Sequence, residues 1–169
     1  MKTTLKVGGL RDMMDLLNRL PERVVSRKGG PVKLALKKGA YVLRDEVKRK
    51  FVSSVNRSGL NETTGLLSSN IVATRGKRPM NSRGERYLVR FKRKYYPKSD
   101  NRGGVSVLKT AQLFEYGSRH QKPNPFIRPA FNAKAQEAIH VIRDDLLKRI
   151  DKLVRKYGLD TDPDDTLSL

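Results

Sequence analysis

Apolar side chains recur along this chain at two different periods. From Val32 onward, Leu36, Ala40, Leu43, Val47 and Phe51 follow steps of four, three, four and four, while Lys37, Lys38, Arg44, Lys48 and Arg49 occupy the other faces. That spacing predicts one long central helix with a buried stripe. A second stripe follows Pro129: Phe131, Ala135, Ile139, Ile142, Leu146, Ile150, Leu153 and Tyr157. It predicts a C-terminal helix of about seven turns that stops at Gly158. Nearer the start, Leu10, Met13, Met14, Leu17 and Leu20 predict a shorter helix ended by Pro21, and residues 22–28 a further turn before Gly29-Gly30-Pro31.

Period two appears between residues 85 and 96. Tyr87, Val89 and Phe91 alternate with Arg86, Leu88, Arg90, Lys92 and Lys94, which predicts a strand with an apolar inner face and a cationic outer one. IVATRG, from Ile71, is expected to open the sheet, with short strands at Thr3–Val7 and at Val105 and Val107. Residues 110–116 are readable as strand or as a helical turn capped by Gly117, because seven residues are too few for periodicity to decide. The pattern describes an α+β domain: a small antiparallel sheet packed against the long central helix and the long C-terminal helix. One domain is expected over residues 1–158, followed by an acidic mobile tail, 159–169.

The least ordinary stretch is LFEYGSRHQKPNPFIRPAF, residues 113–131. Gly117 suits a positive φ, while Pro123, Pro125 and Pro129 each fix φ and remove an amide donor. Lys122, Asn124 and Arg128, each preceding a proline, are expected to be extended. Phe126 and Ile127 then become anchors on a stiff backbone. The segment reads as a rigid docking or packing element.

Composition narrows the function. The 169 residues contain no cysteine, which excludes disulfides and thiolate chemistry, and no apolar run long enough to span a bilayer. No secretory signal opens the sequence, so a cytosolic site of synthesis is expected. Thirty-seven Lys and Arg face seventeen Asp and Glu, for a net charge of +20. Asp160, Asp162, Asp164 and Asp165 are the only charged residues of the last ten, so the first 159 residues carry +24. A surface this basic calls for a polyanion or an acidic partner. Residues 75–102 alone hold eleven bases against two acids, interleaved with Tyr87, Phe91, Tyr95 and Tyr96. Arg75, Lys77, Arg78, Arg86, Arg90, Lys92 and Lys94 form the candidate basic face, suited to a phosphate backbone or an acidic protein ring.

Catalytic constellations are sparse. His120 and His140 have no spaced partners for a metal site or a triad. Glu115, between Phe114 and Tyr116, is better suited to an ion pair or to neighbouring backbone amides than to lone acid catalysis. Asp144 and Asp145 diverge by about 100° on a helix, the wrong geometry for a shared metal. Thr63-Thr64-Gly65 lacks the lysine of a phosphate-binding loop. No catalytic residue, metal or cofactor is assigned, and the expectation is a protein that is not an enzyme.

Four segments in order carry a resemblance: GGLRDMMDLLNRLPERV from Gly8, ALKKGAYVLRDEVKRKF from Ala35, TTGLLSSNIV from Thr63, and the proline-rich stretch just quoted. Together they resemble the tail-component family of tailed bacteriophages, the small neck or tail-completion proteins. The matching signatures are Thr64-Gly65-Leu66, Glu115-Tyr116-Gly117-Ser118 and Pro125-Phe126-Ile127-Arg128-Pro129-Ala130. The chain departs from the family in Asn61-Glu62 before the Thr-Thr-Gly, in Thr110–Leu113 ahead of Glu115, and in its heavier basic insert.

The resemblance implies a non-enzymatic virion subunit that forms a ring at the head–tail junction and completes the tail or joins it to the head. It implies six copies, neighbours among tail-terminator, tail-tube and head-connector proteins, DNA in the lumen, no membrane, and assembly in the bacterial host cytoplasm. Thr64, Gly65, Leu66, Glu115, Tyr116, Gly117, Pro125, Phe126 and Pro129 become its assembly or packing residues. The alternative is a stand-alone, sequence-independent nucleic-acid-binding protein.

Overall fold

A computed structural model of the chain describes residues 30–57, 65–77, 85–97 and 104–157. Within them the order is α1 (Pro31–Arg57), α2 (Leu66–Ser69), β1 (Ile71–Arg75), β2 (Tyr87–Phe91), α3 (Val107–Tyr116) and α4 (Ile127–Tyr157). The class is α+β: a two-stranded antiparallel sheet lies against α1 and the start of α4. The expected strand at Thr3–Val7, the helix from Leu10, the turn at 22–28, Thr64, Arg78, Gly158 and the acidic tail lie outside the described residues.

The two long helices run antiparallel. Ala35 near the start of α1 packs with Leu146 and Ile150 near the end of α4, while Phe51 meets Phe126 just before α4 begins. Small residues set their spacing. A methyl group on Gly39 would sit 2.9 Å from the Ala138 carbonyl, too close for any side chain, so the backbones meet there directly. The main core joins Val47, Phe51 and Val55 of α1 to Leu67, Ile71, Val107, Ala111, Phe114, Phe126 and Ala130. Phe51 sits edge-on to Phe114 and Phe126, with ring centroids 5.5 and 5.1 Å apart.

The stripe expected on α4 holds at Ala135, Leu146 and Ile150, which are buried, but not at its start. Phe131 is 39% exposed, whereas Ala130 and Ala138, outside that stripe, are buried. Where the helix backbones approach closely at Gly39, Ala138 takes the contact, while Leu146 and Ile150 fill the interface further along. The interface also buries two acids. Asp145 receives Lys38 from α1 and Arg149 one turn along α4, at 2.5 Å for the latter. Glu46 is held by a forked pair of bonds from Arg49 at 2.6 and 2.8 Å.

Burial pushes the Asp145 carboxyl up, but the bonds from Arg149 and Lys38 outweigh it and hold the group below the usual carboxylate range. The Arg49 hydrogen bond, opposed by burial, likewise lowers Glu46. A depressed folded pKa stabilises above the unfolded value and loses that contribution as pH falls through the folded one. The melting temperature should therefore stay level from neutral pH to about pH 5 and fall on further acidification. Asp145→Asn should lower stability at neutral pH and flatten that acid limb. A thermal melt series across pH checks both.

The sheet is shorter than the alternation suggested. β2 ends at Phe91 because β1 offers five partners only, in the register Ile71↔Phe91 to Arg75↔Tyr87. Beyond it, Lys92 N–H donates to the Asn70 carbonyl at 2.9 Å, closing the ladder. Val105 and Val107 do not add a strand. A single bridge, Tyr95↔Ser106, joins the two segments, and Val107 opens α3. Ser106 explains the switch: its hydroxyl accepts from Lys109 N–H at 3.1 Å as the helix cap. Of the two readings left open for residues 110–116, the helix ending at Gly117 is the one adopted.

Candidate assembly surface and basic face

Gly117 ends α3 at φ 76°, ψ −175°, a conformation almost confined to glycine. Its N–H returns to the Leu113 carbonyl at 2.8 Å. A methyl group there would lie 2.8 Å from the Gln121 carbonyl and 2.9 Å from Pro123. Gly117→Ala should therefore cost about 3 kcal/mol in urea unfolding, combining backbone strain and overpacking. A loss below about 1 kcal/mol would show that the turn relaxes freely.

The chain after this turn is pinned at Asn124. Between two prolines, residue 124 carries the only amide of the Pro-x-Pro unit, and that N–H donates to the Phe114 carbonyl at 2.8 Å. The Asn124 side chain donates to the Ser54 carbonyl at 2.8 Å, and the Ser54 hydroxyl returns a bond to the Asn124 carbonyl at 3.2 Å. These bonds tie the proline-rich segment to α1 and α3 together.

Glu115 completes the device. Its buried carboxylate, 5% exposed as a residue, accepts from the backbone N–H groups of Phe126 and Ile127 at 2.9 Å and of Arg128 at 3.3 Å. These are the amides at the entry to α4 that have no acceptor within the helix. A negative charge at a helix N-terminus also complements the helix dipole. Of the two partners expected for Glu115, backbone amides make the close bonds, and an ion pair with Arg128 stands at 3.9 Å. The expectation that Arg128 is extended does not hold: it lies inside α4. Pro129 falls in the first turn, where a missing N–H costs nothing, and the Glu115 bonds override the usual pre-proline preference.

What this device presents is an outward, preorganised surface. Tyr116 is 64% exposed, with the Arg128 guanidinium 5.6 Å from its ring centre. With Glu115, Pro123, Pro125 and Pro129 they line a shallow, open concavity of about 470 Å³. Phe126, by contrast, is fully buried in the core. At the other sequence signature, Gly65 takes a left-handed φ of 64° at the start of α2, and Leu66 packs against the core.

The basic residues are distributed unevenly. Lys77, Arg86, Arg90, Lys92 and Lys94 are exposed, with no ion-pair partner among the described residues. Arg75 differs. It makes a forked pair with Glu85 at 2.5 and 2.8 Å, so its charge is already neutralised. Register places it opposite Tyr87, on the face shared with Val89 and Phe91. Leu88 and Arg90 occupy the opposite face with Val72 and Thr74, so the outer face is mixed rather than uniformly cationic. His120 and His140 are exposed. No grouping of three or more potential metal ligands occurs among the described residues, and no helix there is long and apolar enough to cross a membrane.

Along β2 runs an apolar groove of about 290 Å³, floored by Ala40, Leu43 and Val47 of α1 and walled by Ile127 and Phe131 of α4. Sequence reasoning missed this groove, Asn124 and the buried acids. The acids left a signal in the three- and four-residue spacing of Glu46 to Arg49 and Asp145 to Arg149, and Asn124 in its place between two prolines. No protein-family model, curated protein or solved structure matches the chain.

Proposed function

We propose that this chain is a structural virion protein of a long-tailed bacteriophage, one subunit of a ring at the head–tail junction that completes the tail or joins it to the head. The observation that carries the reading is the Glu115 clasp. The one carboxylate with a suggestive setting binds three backbone amides, and so serves to hold a surface rather than to move protons. The residues of the family-like signatures, Glu115, Gly117, Phe126 and Pro129, act there as one rigid unit. The exposed Tyr116 and Arg128 above them are placed for a neighbouring subunit, in a head-to-tail ring of six. Tail-terminator, tail-tube or head-connector proteins are the expected neighbours, and the unpaired bases face lumenal DNA or an acidic ring.

Complementation tests this reading. Phage lacking the protein should accumulate unjoined heads and tails, and the intact chain should restore joining. A folded Tyr116→Ala, Arg128→Glu variant should not. Normal infectious particles formed without the protein would reject the proposal.

A second reading, stand-alone nucleic-acid binding, draws on the unpaired bases near β2. Arg90→Glu, Lys92→Glu and Lys94→Glu together should weaken duplex DNA retention and flatten its salt dependence by about 0.9 per lost phosphate contact, read by gel shift. If that triple variant leaves DNA retention, tail joining and DNA passage unchanged, the face is only solvated surface.

A further inference from the structure

The groove beside β2 is an unpaired sheet edge as well as an apolar trough. Gly76 N–H donates to the Arg86 carbonyl and Lys92 N–H to the Asn70 carbonyl, each at 2.9 Å. Antiparallel alternation then turns the N–H and C=O groups of Tyr87, Val89 and Phe91 to the other side, away from β1. The sheet has two strands, so among the described residues nothing pairs with that edge. Leu43, Tyr87, Ile127 and Phe131 open into the trough, and no acid lines it. Arg90 stands at its rim, with Arg86 and Lys92 adjoining in sequence, all three exposed and without ion-pair partners among the described residues. Such a site fits an extended, acidic segment with aliphatic side chains two residues apart.

The chain contains one. Residues 159–169, LDTDPDDTLSL, carry four aspartates and no base, then Leu167 and Leu169 at strand spacing. We infer that the acidic C-terminal segment of one copy docks in the β2 groove of another, Leu167 and Leu169 entering the trough and the aspartates meeting Arg86, Arg90 and Lys92. Two alternate side chains suit the modest volume of the trough.

Reach favours a second copy. The groove adjoins Ile127 and Phe131 at the start of α4, and the tail leaves its far end at Tyr157. At 1.5 Å per residue, those points are about 39–45 Å apart. Leu167, ten residues beyond Tyr157, extends at most about 33–36 Å. Leu169 could meet that wall of its own groove only with the segment at full extension, at most about 40–43 Å, whereas a neighbour's groove can be met with slack. Head-to-tail docking of this kind suits a ring, but the inference stands on the groove and the tail and is tested without reference to phage particles.

The absence of cysteine makes the test direct. A full-length chain carrying Tyr87→Cys is mixed with one carrying Leu169→Cys and oxidised at low salt. A disulfide-linked heterodimer is expected on a non-reducing gel. It should fade about tenfold at high salt, where screening removes the charge attraction, and when the four aspartates are replaced by asparagine. Excess synthetic peptide of residues 158–169 should suppress it. Equal cross-linking to a Gln136→Cys control, away from the groove, would overturn the inference. So would an intrachain disulfide in the double variant, or preferential capture of a Leu5→Cys chain, which would assign the groove to the strand expected at Thr3–Val7. Because the readout is the groove alone, its failure leaves the complementation test of the ring untouched.

Discussion

Glu115→Ala should lower stability by about 3–5 kcal/mol in urea unfolding, among the largest effects of any single substitution on the described surface or core. Three backbone donors at the start of α4 would lose their acceptor at once. Because the carboxylate is buried beside Phe126, water replaces it poorly, and each unsatisfied amide costs on the order of 1–3 kcal/mol. The charge favoured by the helix terminus goes as well. Glu115→Gln keeps a carbonyl oxygen that accepts one or two of the three bonds, so roughly half the loss is expected. Circular dichroism should show the cost concentrated in helix. An alanine variant within about 1 kcal/mol of the parent would mean that the clasp is incidental to the fold.

Phe126→Ala should cost about 3–5 kcal/mol, the range for emptying a fully buried aromatic site. The loss has two parts. Contacts disappear with Phe51 at 5.1 Å and Phe91 at 6.5 Å, so α1 and the sheet lose their common neighbour. The cavity left behind cannot collapse easily, because the backbone on one side is held by prolines and by Asn124. Phe126→Leu refills most of the volume and should cost about 1–2 kcal/mol. In the ring proposal the alanine variant also loses assembly, since the outward surface rests on this anchor. Unchanged melting with unchanged assembly would remove Phe126 as an anchor of either kind.

How far the residues announced these features differs by feature, and the reasons are physical. The two long helices were legible because 27 and 31 residues give periodicity many turns to show itself. The inner face of β2 was legible from alternation, but its length was not, since a strand is only as long as its partner allows. Phe126 was legible as an anchor on a stiff backbone, but whether it docks outward or packs inward depended on the distant Phe51 and Phe91. The clasp itself was half legible. Glu115 was read as a partner for an ion pair or for neighbouring amides, yet the amides it binds lie eleven to thirteen residues further on, beyond any local capping spacing. Asn124 was read only as a pre-proline residue, although a lone amide between two prolines is a place where a specific bond is expected. The Arg75–Glu85 pair required the register of the sheet, which pattern alone does not fix. The buried stripe of α4 was legible at Ala135, Leu146 and Ile150 but not at Ala130 and Ala138, because close packing selects small side chains that carry little periodic signal.

The central proposition is that this protein acts by fitting into a larger assembly, using a clasped proline-rich surface and a basic strand edge. Copy counting in purified, mature phage particles by quantitative mass spectrometry tests it most directly. A fixed, small number of these 19.2 kDa chains per particle, about six, retained after washing at high salt, is the expected result. Particles that infect normally and contain none of the protein would contradict it.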